Sequence, residues 1–301
     1  MRYYFAPLEG ITDRTYRELH HRFFPGLDRY YTPFFSPTCH RQLTSKESRE
    51  LAEPGYALVP QILTKVAEDF IWFAEQCRDL GYEEVNLNLG CPSGTVTAKG
   101  KGSGMLKDPG KLDEFLDCIY HGAPLPVSIK TRIGFDDPEE FSRLLEIFNR
   151  YPVKELIIHP RVRQEFYKGT PNMAVFRQAV ENSKNPLCYN GDLNSMEDIK
   201  AFSNKFPSVQ AVMIGRGLVG NPGMLTPGGT DVKVLEQFHN TLMDTYMEQF
   251  GSEKNTMFRM KEHWFYLLGT LHATEKQAKA LRKTTSVREF RTITKEIFHN
   301  V

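Results

Sequence analysis

The sequence predicts an α/β chain built as a parallel (β/α)8 barrel, a TIM barrel, followed by a small all-helical unit. Eight short apolar runs alternate with segments of helical period, and alternating strand and helix implies a parallel sheet. Polar residues with no place in a core fall at the carboxyl ends of those runs, where barrels of this kind build their sites. Beyond residue 230 the alternation stops and only helix-period patterns remain.

The strand candidates are residues 3–6, 30–35, 57–63, 84–89, 127–131, 155–159, 186–189 and 211–214. Segments with helix start and stop signals lie between most of them, for example residues 12–19, 65–80 and 136–151. The return from the second strand is the weakest unit, since residues 40–50 are polar and only faintly periodic. After the eighth strand, Gly215-Arg216-Gly217 leads into a helix-poor run through Asn221-Pro222 and residues 226–230, which reads as a linker. Residues 231–301 then hold two interior glycines and no proline, with helix-period sets such as Val234, Phe238, Leu242 and Tyr246. The expected division is a barrel over residues 1–230 and a helical unit over residues 231–301.

At 301 residues the chain can bury a large core. No run approaches about 18 uninterrupted apolar residues, so a membrane span is not expected. The amino terminus enters a short apolar run without the long stretch of a secretion signal. Five cysteines in no framework spacing argue against disulfides, and a reducing, cytoplasmic setting is expected. No His, Cys or carboxylate pair has metal-ligand spacing, so no metal is expected. The net charge of +1 hides an asymmetry: from Lys254 onward ten Lys or Arg face four Asp or Glu. A positive tail of that kind is either a solvated helical face or a docking surface for a polyanion.

Cysteine is usually a small buried hydrophobe, and most cysteines here read that way. Cys77 continues a helical stripe, Cys118 sits in a second helix-period segment, Cys188 lies in a short apolar strand, and Cys39 falls in a loop. Cys91 differs. It follows Asn86-Leu87-Asn88-Leu89-Gly90 and precedes Pro92, so an alternating strand is broken abruptly and presents a thiol at its end. Other strand ends agree: Pro7-Leu8-Glu9 after the first, Gln61 in the third, Asn88 in the fourth, Lys130 and Arg132 at the fifth, His159 and Arg161 at the sixth. The seventh ends in Asn190-Gly191-Asp192 and the eighth in Gly215-Arg216. Glycines there let backbone N–H groups approach an anion and Arg216 can grip a phosphate, so a phosphorylated cofactor is a natural occupant. Gln61 and Lys130 can then hydrogen-bond a polar ring system across the barrel mouth.

In order and spacing these residues resemble the tRNA-dihydrouridine synthase family of FMN-dependent enzymes, from the first strand to about Met224. The pieces are residues 6–13, Pro60-Gln61, residues 86–92, Lys130-Thr131-Arg132-Ile133-Gly134, residues 159–163, Tyr167-Lys168-Gly169, Asn190-Gly191-Asp192 and residues 213–217. Leu89 stands where many members have a small or polar residue, and Pro160 replaces a usual small residue after the histidine. The resemblance implies that Pro7, Leu8, Glu9, Gln61, Lys130 and His159 contact the flavin. It implies that Asn190, Gly191, Asp192, Gly215 and Arg216 hold its ribityl and phosphate end. Cys91 matches the catalytic cysteine, as general acid to a uracil that receives hydride from reduced FMN. Asn88, Arg132 and Arg161 are expected near substrate. Arg282 and Lys283, with Arg259, Lys261, Lys276, Lys279, Arg288 and Arg291, are expected to meet tRNA phosphates.

Lys130, Arg132 or His159 can stabilise the developing oxyanion, and the sequence does not rank them. Family resemblance implies NADPH, or NADH, as reductant. No dinucleotide fingerprint follows a strand, so reduction in the same cleft is expected. The chain is expected to act as a monomer on tRNA. The rival readings are a dihydroorotate or dihydropyrimidine dehydrogenase acting on a free pyrimidine, and a non-catalytic RNA-binding protein on an old barrel. A basic helical tail has no task with a small substrate, and an intact set of polar strand ends has none without catalysis.

Overall fold

The computed structural model describes residues 1–38 and 40–300, so the loop position expected for Cys39 lies outside the described residues. The chain runs β1 (Arg2–Phe5), α1 (Arg14–Phe23), β2 (Arg29–Tyr31), α2 (Ser45–Glu50), β3 (Leu58–Val59), β4 (Gln61–Ile62), α3 (Ala67–Asp79) and β5 (Val85–Leu89). It continues through α4 (Gly94–Thr97), α5 (Pro109–Gly122), β6 (Val127–Gly134), α6 (Glu140–Phe148), β7 (Leu156–Val162), α7 (Met173–Asn182), β8 (Leu187–Asn190), α8 (Met196–Lys205), β9 (Ala211–Ile214) and α9 (Arg216–Gly220). Four further helices follow: α10 (Val232–Phe250), α11 (Glu253–Thr270), α12 (Glu275–Lys283) and α13 (Val287–His299).

All strand pairs are parallel, in the order β3-β2-β1-β9-β8-β7-β6-β5-β4. The two ends of that order are neighbours in sequence, separated only by Pro60. Proline has no N–H to give a ladder, so the expected third strand becomes two short pieces. Its carbonyl still accepts from Asn86 N at 2.8 Å, and Gln61 O accepts from Phe35 N at 2.8 Å. The sheet therefore curls into a nearly closed barrel.

Alternation along the strands is inverted relative to an ordinary half-buried strand. In β5, Val85, Leu87 and Leu89 join the core between sheet and helices, whereas Asn86 and Asn88 point into the barrel. In β6, Ile129 and Ile133 join that same core, while Ser128 and Lys130 share the asparagines' inner side. The other half of the interior is apolar, with Tyr4, Ala6, Tyr31, Val59, Ile157, Cys188, Ala211 and Met213 in one cluster. A polar side chain inside the barrel must find a partner, which ties the inward residues to one another.

Four elements depart from expectation. β2 is only three residues long, so Pro33 and Phe34 are loop rather than strand. β6 and β7 run further than expected, with a register shift between Arg132 and Gly134, so Arg132, His159 and Arg161 lie within strands. α9 begins directly after β9, where a linker was expected. Its glycines permit the close approach, because a side chain at Gly217 would collide with the Leu193 carbonyl. Cys118 is exposed rather than packed: the buried stripe of α5 is Leu112, Phe115, Leu116 and Ile119, and Cys118 points away from it. Cys77 and Cys188 are buried, as read.

The last four helices are capped in turn by Asp231, Ser252, Thr274 and Ser286, and α10 ends on Gly251 in the left-handed region. They pack on the barrel through α10 and α11. The Tyr246 hydroxyl donates to Asp13 Oδ1 at 2.8 Å, Phe238 meets Tyr16 edge to face, and α11 lies against α9 at Gly220. Trp264, Phe290 and Phe298 form the core among them.

Candidate active site

The carboxyl ends of the strands surround a cavity of about 840 Å³ including its open mouth. Pro7, Leu8, Glu9, Gln61, Asn88, Cys91, Lys130, Arg132, His159, Asn190, Gly191, Asp192, Gly215 and Arg216 all line it. Arg161 does not, nor do Arg282 and Lys283.

Cys91 sits on a turn that β5 itself holds. Asn88 Oδ1 accepts from the N–H groups of Gly90, at 3.0 Å, and Cys91, at 2.9 Å. The Cys91 carbonyl accepts from Ser103 N and Oγ, and any side chain on Gly102, which has φ +57°, would press on it. Asn88 is fixed in turn by a chain of side chains across three strands. Its Nδ2 donates to Gln61 Oε1 at 2.7 Å, Gln61 Nε2 donates to Asn86 Oδ1, and Asn86 Nδ2 donates to Ser128 Oγ, both at 2.8 Å. Every amide in this relay has one orientation, since each must give and accept in sequence. Burial pushes the Cys91 thiol up from its ordinary 9.0, outweighing the Ser93 N–H, Arg132 and Lys130, which act the other way. At neutral pH Cys91 therefore carries its proton.

The three cations at β6 and β7 differ in what is left to them. Arg132 is buried and donates to the carbonyls of Gly90, Val162 and Phe166 at 2.7–2.9 Å, so it ties the Cys91 turn to β7 and the following loop. Arg161, expected at the substrate, is instead sealed behind the wall. It donates to Asp192, to the Lys168 and Gly169 carbonyls and, at 3.0 Å, to His159 Nε2. Lys130 has no hydrogen bond or ion pair among the described residues, and burial with the nearby Arg132 lowers its pKa to about 8.

An arginine cannot accept, so His159 Nε2 is the acceptor and its ring proton resides on Nδ1. Burial and the Arg132, Lys130 and Arg161 charges hold the His159 pKa well below 6.5, so the ring is neutral. It offers a hydrogen-bond donor rather than a charge.

Asp192 bridges Arg161 and Arg216, at 2.5 and 2.7 Å, and so presents the half-exposed Arg216 guanidinium at the rim. Asn190 Nδ2 donates to the Met213 carbonyl, which locks the ends of β8 and β9 together. Gly191 must be glycine, because a side chain there would run into the Tyr189 hydroxyl. No acceptor among the described residues takes the N–H groups of Gly191 or Gly215. Across the mouth, the turn at Pro7-Leu8-Glu9 is held by Thr12 Oγ1, which accepts from Leu8 N at 2.9 Å, and burial raises the Glu9 pKa.

A family model described as dihydrouridine synthase matches residues 4–301. The chain belongs to the dihydrouridine synthase family. It is thus an oxidoreductase that reduces uridine to dihydrouridine. Similar relatives include tRNA-dihydrouridine synthase B of Vibrio parahaemolyticus serotype O3:K6, 27% identical over 286 residues, which are 86% of this chain and 86% of that one. A probable tRNA-dihydrouridine synthase of Staphylococcus aureus (strain Mu50) is 30% identical over 227 residues, 72% of this chain and 68% of its own. Among solved structures, morphinone reductase superposes with a TM-score of 0.51 at 12% identity, over 74% of this chain and 84% of that chain. At that identity the likeness concerns the barrel alone.

Two parts of this dihydrouridine synthase's cavity carried no expectation from the sequence. Phe34 and Pro33 line it because β2 ends early. Tyr167 is half-exposed at the mouth, with the Arg216 guanidinium carbon 4.7 Å from its ring centre and the His159 ring 6.2 Å away. It reaches that place because Phe166 adopts φ +52°, a conformation rare outside glycine. Arg132 Nη2 holds the Phe166 carbonyl at 2.7 Å and so fixes the strained turn. The motif Tyr167-Lys168-Gly169 was visible in the sequence, but not the backbone that aims it.

Proposed function

We propose that this dihydrouridine synthase acts on uridines of tRNA, in the cytoplasm and as a monomer, with FMN as its flavin and NADPH as the reductant. The observation that carries the reading is a protonated thiol, Cys91, sharing one cavity wall with a lone ammonium, Lys130. The relatives named as tRNA-dihydrouridine synthases support the substrate class. Residues 1–230 serve as the catalytic barrel, and residues 231–301 as the unit that meets tRNA.

The cavity residues fit FMN. Lys130 is a half-buried cation without a partner among the described residues, suited to a polar ring edge. Gln61 and the neutral His159 add hydrogen-bonding groups beside it. The Gly191 and Gly215 N–H groups and the Arg216 guanidinium suit a phosphate. Pro7, Leu8 and Glu9 close the opposite side. FMN held there would supply the hydride for carbon-6 of the uracil, with NADPH as the source of its electrons.

The chain's own residues do the rest. As negative charge develops towards carbon-5 and the oxygen of the adjoining carbon-4 carbonyl, the Cys91 S–H bond breaks and the proton passes to carbon-5. The thiolate left behind is stabilised by Lys130 and Arg132 until solvent returns a proton. A positioned donor of this kind contributes typically ~10²–10⁴-fold in rate. Arg132 spends its donors on backbone carbonyls and His159 offers a neutral N–H, so of the three Lys130 brings the unengaged positive charge to the oxyanion. Asn88, Arg132 and Arg161 act by positioning: Asn88 and Arg132 fix the cysteine turn, and Arg161 with Asp192 aims Arg216.

A uridine in folded tRNA must be turned out of its stack to reach this depth. Lys276, Lys279, Arg282, Lys283 and Arg288 have no side-chain partner among the described residues and are free for phosphates. Lys261 and Arg291 are engaged within the protein, the first on the Arg282 and Thr284 carbonyls and the second on Asp244. The test is turnover with NADPH on unmodified tRNA against free uracil and orotate. Activity confined to tRNA is expected, and equal activity on a free pyrimidine would favour a small-molecule dehydrogenase.

A further inference from the structure

The most exposed large hydrophobic residues among those described are Phe265, at 73%, and Phe258, at 68%. Both lie on α11, seven residues apart. Two helical turns separate them, so they share one face about 10 Å apart along the axis. The Phe265 ring meets only the edge of the adjacent Tyr266 among the described aromatic residues, and neither phenylalanine joins the buried face of α11, which is Met257, Met260, Trp264 and Leu267 with Thr256 and His263.

Their surroundings are specific. On one flank Lys261 donates to the Arg282 and Thr284 carbonyls, which brings the carboxyl end of α12, with the exposed Arg282 and Lys283, alongside the rings. On the other flank α11 faces the barrel mouth. There Arg259 sits beside Gly10, in the turn after Glu9, and the Tyr266 carbonyl packs on Gly220. Burial raises the Tyr266 pKa, and the Arg216 guanidinium of the cavity rim acts against it. The two rings thus stand between the site mouth and a cluster of free cations.

The one aliphatic neighbour on that face among the described residues, Leu268, is half-buried against the core, and the others are Lys254, Asn255, Lys261, Glu262 and Gly269. A protein-binding patch has an apolar centre poor in lysine. Isolated aromatic faces among Lys and Arg are instead the composition that binds unpaired nucleotides, rings to bases and cations to phosphates.

We propose that Phe258 and Phe265 are a stacking platform for unpaired nucleobases of the tRNA, engaged beside the uridine that enters the barrel. The proposal rests on the reading of tRNA as substrate and adds the residues that grip its loop. Turning a base out of a folded RNA leaves neighbours unstacked, and a platform next to the mouth would hold them.

The test uses the full flavin-loaded chain and an unmodified tRNA transcript, with binding measured by fluorescence anisotropy at fixed salt. Phe258→Ala and Phe265→Ala should each weaken binding about tenfold. Phe258→Trp with Phe265→Trp should bind at least as tightly as wild type. Phe258→Leu with Phe265→Leu, which keeps apolar surface without a ring and guards against misfolding, should bind as weakly as the alanine pair. The salt dependence of binding should keep its slope in every variant, since no phosphate contact is removed. Unchanged affinity in the alanine pair would overturn the platform while leaving the substrate reading intact. So would full binding by the leucine pair, or an alanine pair that only changes the sedimentation of the protein from dimer to monomer. Failure of the wild-type protein to bind tRNA would overturn both.

Discussion

Replacing Lys130 by methionine is expected to make the flavin-free protein more stable while removing its activity. The lysine is held in a partly closed cavity without a counter-ion among the described residues, and burial with Arg132 brings its pKa from 10.5 to about 8. Each unit of such a shift is worth ~1.4 kcal/mol, which sets an upper bound of about 3 kcal/mol on the cost of keeping it charged at pH 7. Solvent reaches part of the side chain and screens it, so about 1–3 kcal/mol is the expected gain. The pH dependence fixes the cause. The unfolded chain keeps this proton up to about 10.5 and the folded chain only up to about 8, so between those values the unfolded state binds more protons and wild-type stability rises with pH. The gap between variant and wild type should therefore be full below about pH 8 and close towards pH 10.5. Urea unfolding of the two proteins at paired pH values measures it. A methionine variant less stable than wild type at pH 7, or a gap indifferent to pH, would refute the placement of an unpaired charge at this site.

The specificity constant kcat/KM should be flat through neutral pH and fall above about pH 8 as the Lys130 ammonium of the free enzyme is lost, with that limb absent from the residual activity of the methionine variant; a pH profile of kcat/KM for both proteins checks it. Asn88→Ala removes the acceptor for the Gly90 and Cys91 N–H groups and strands Gln61 Oε1. A loss of stability of about 1–3 kcal/mol is expected, with kcat down roughly 100-fold and KM for tRNA little changed, which steady-state kinetics and thermal melting would show.

Much of the site was legible because the strands of this barrel expose their chemistry as broken alternation. Asn86 and Asn88 interrupt an apolar strand every second residue, and a polar residue in that register must point inward, where it either fails or makes a network. The break at Gly90-Cys91-Pro92 marked the thiol for the same reason. What the sequence could not show is where long side chains spend their donors. Arg132 and Arg161 read as cations at strand ends, yet the carbonyls that take them, of Val162 at the end of β7 and of Phe166, Lys168 and Gly169 in the loop after it, are brought to them only by folding. Tyr167 was hidden similarly, since its place depends on the left-handed backbone of Phe166. In the fold, Pro60 divided one expected strand into two by withholding a single N–H. The helix α9 was missed because its glycines read as linker, whereas they answer a tight packing demand at Leu193 and Tyr266. Cys118 was misjudged by a shift of one position on a helical stripe.

The central claim is that this chain reduces tRNA uridines with Cys91 as the proton donor. Its most direct test is mass spectrometry of nucleosides from tRNA of a host lacking its own dihydrouridine synthases, supplied with the wild-type chain or with Cys91→Ala. The expected result is dihydrouridine with the wild type, and almost none with a variant that still folds and binds flavin. Dihydrouridine at wild-type levels in the variant would contradict the role of Cys91, and its absence with the wild type would contradict the activity itself.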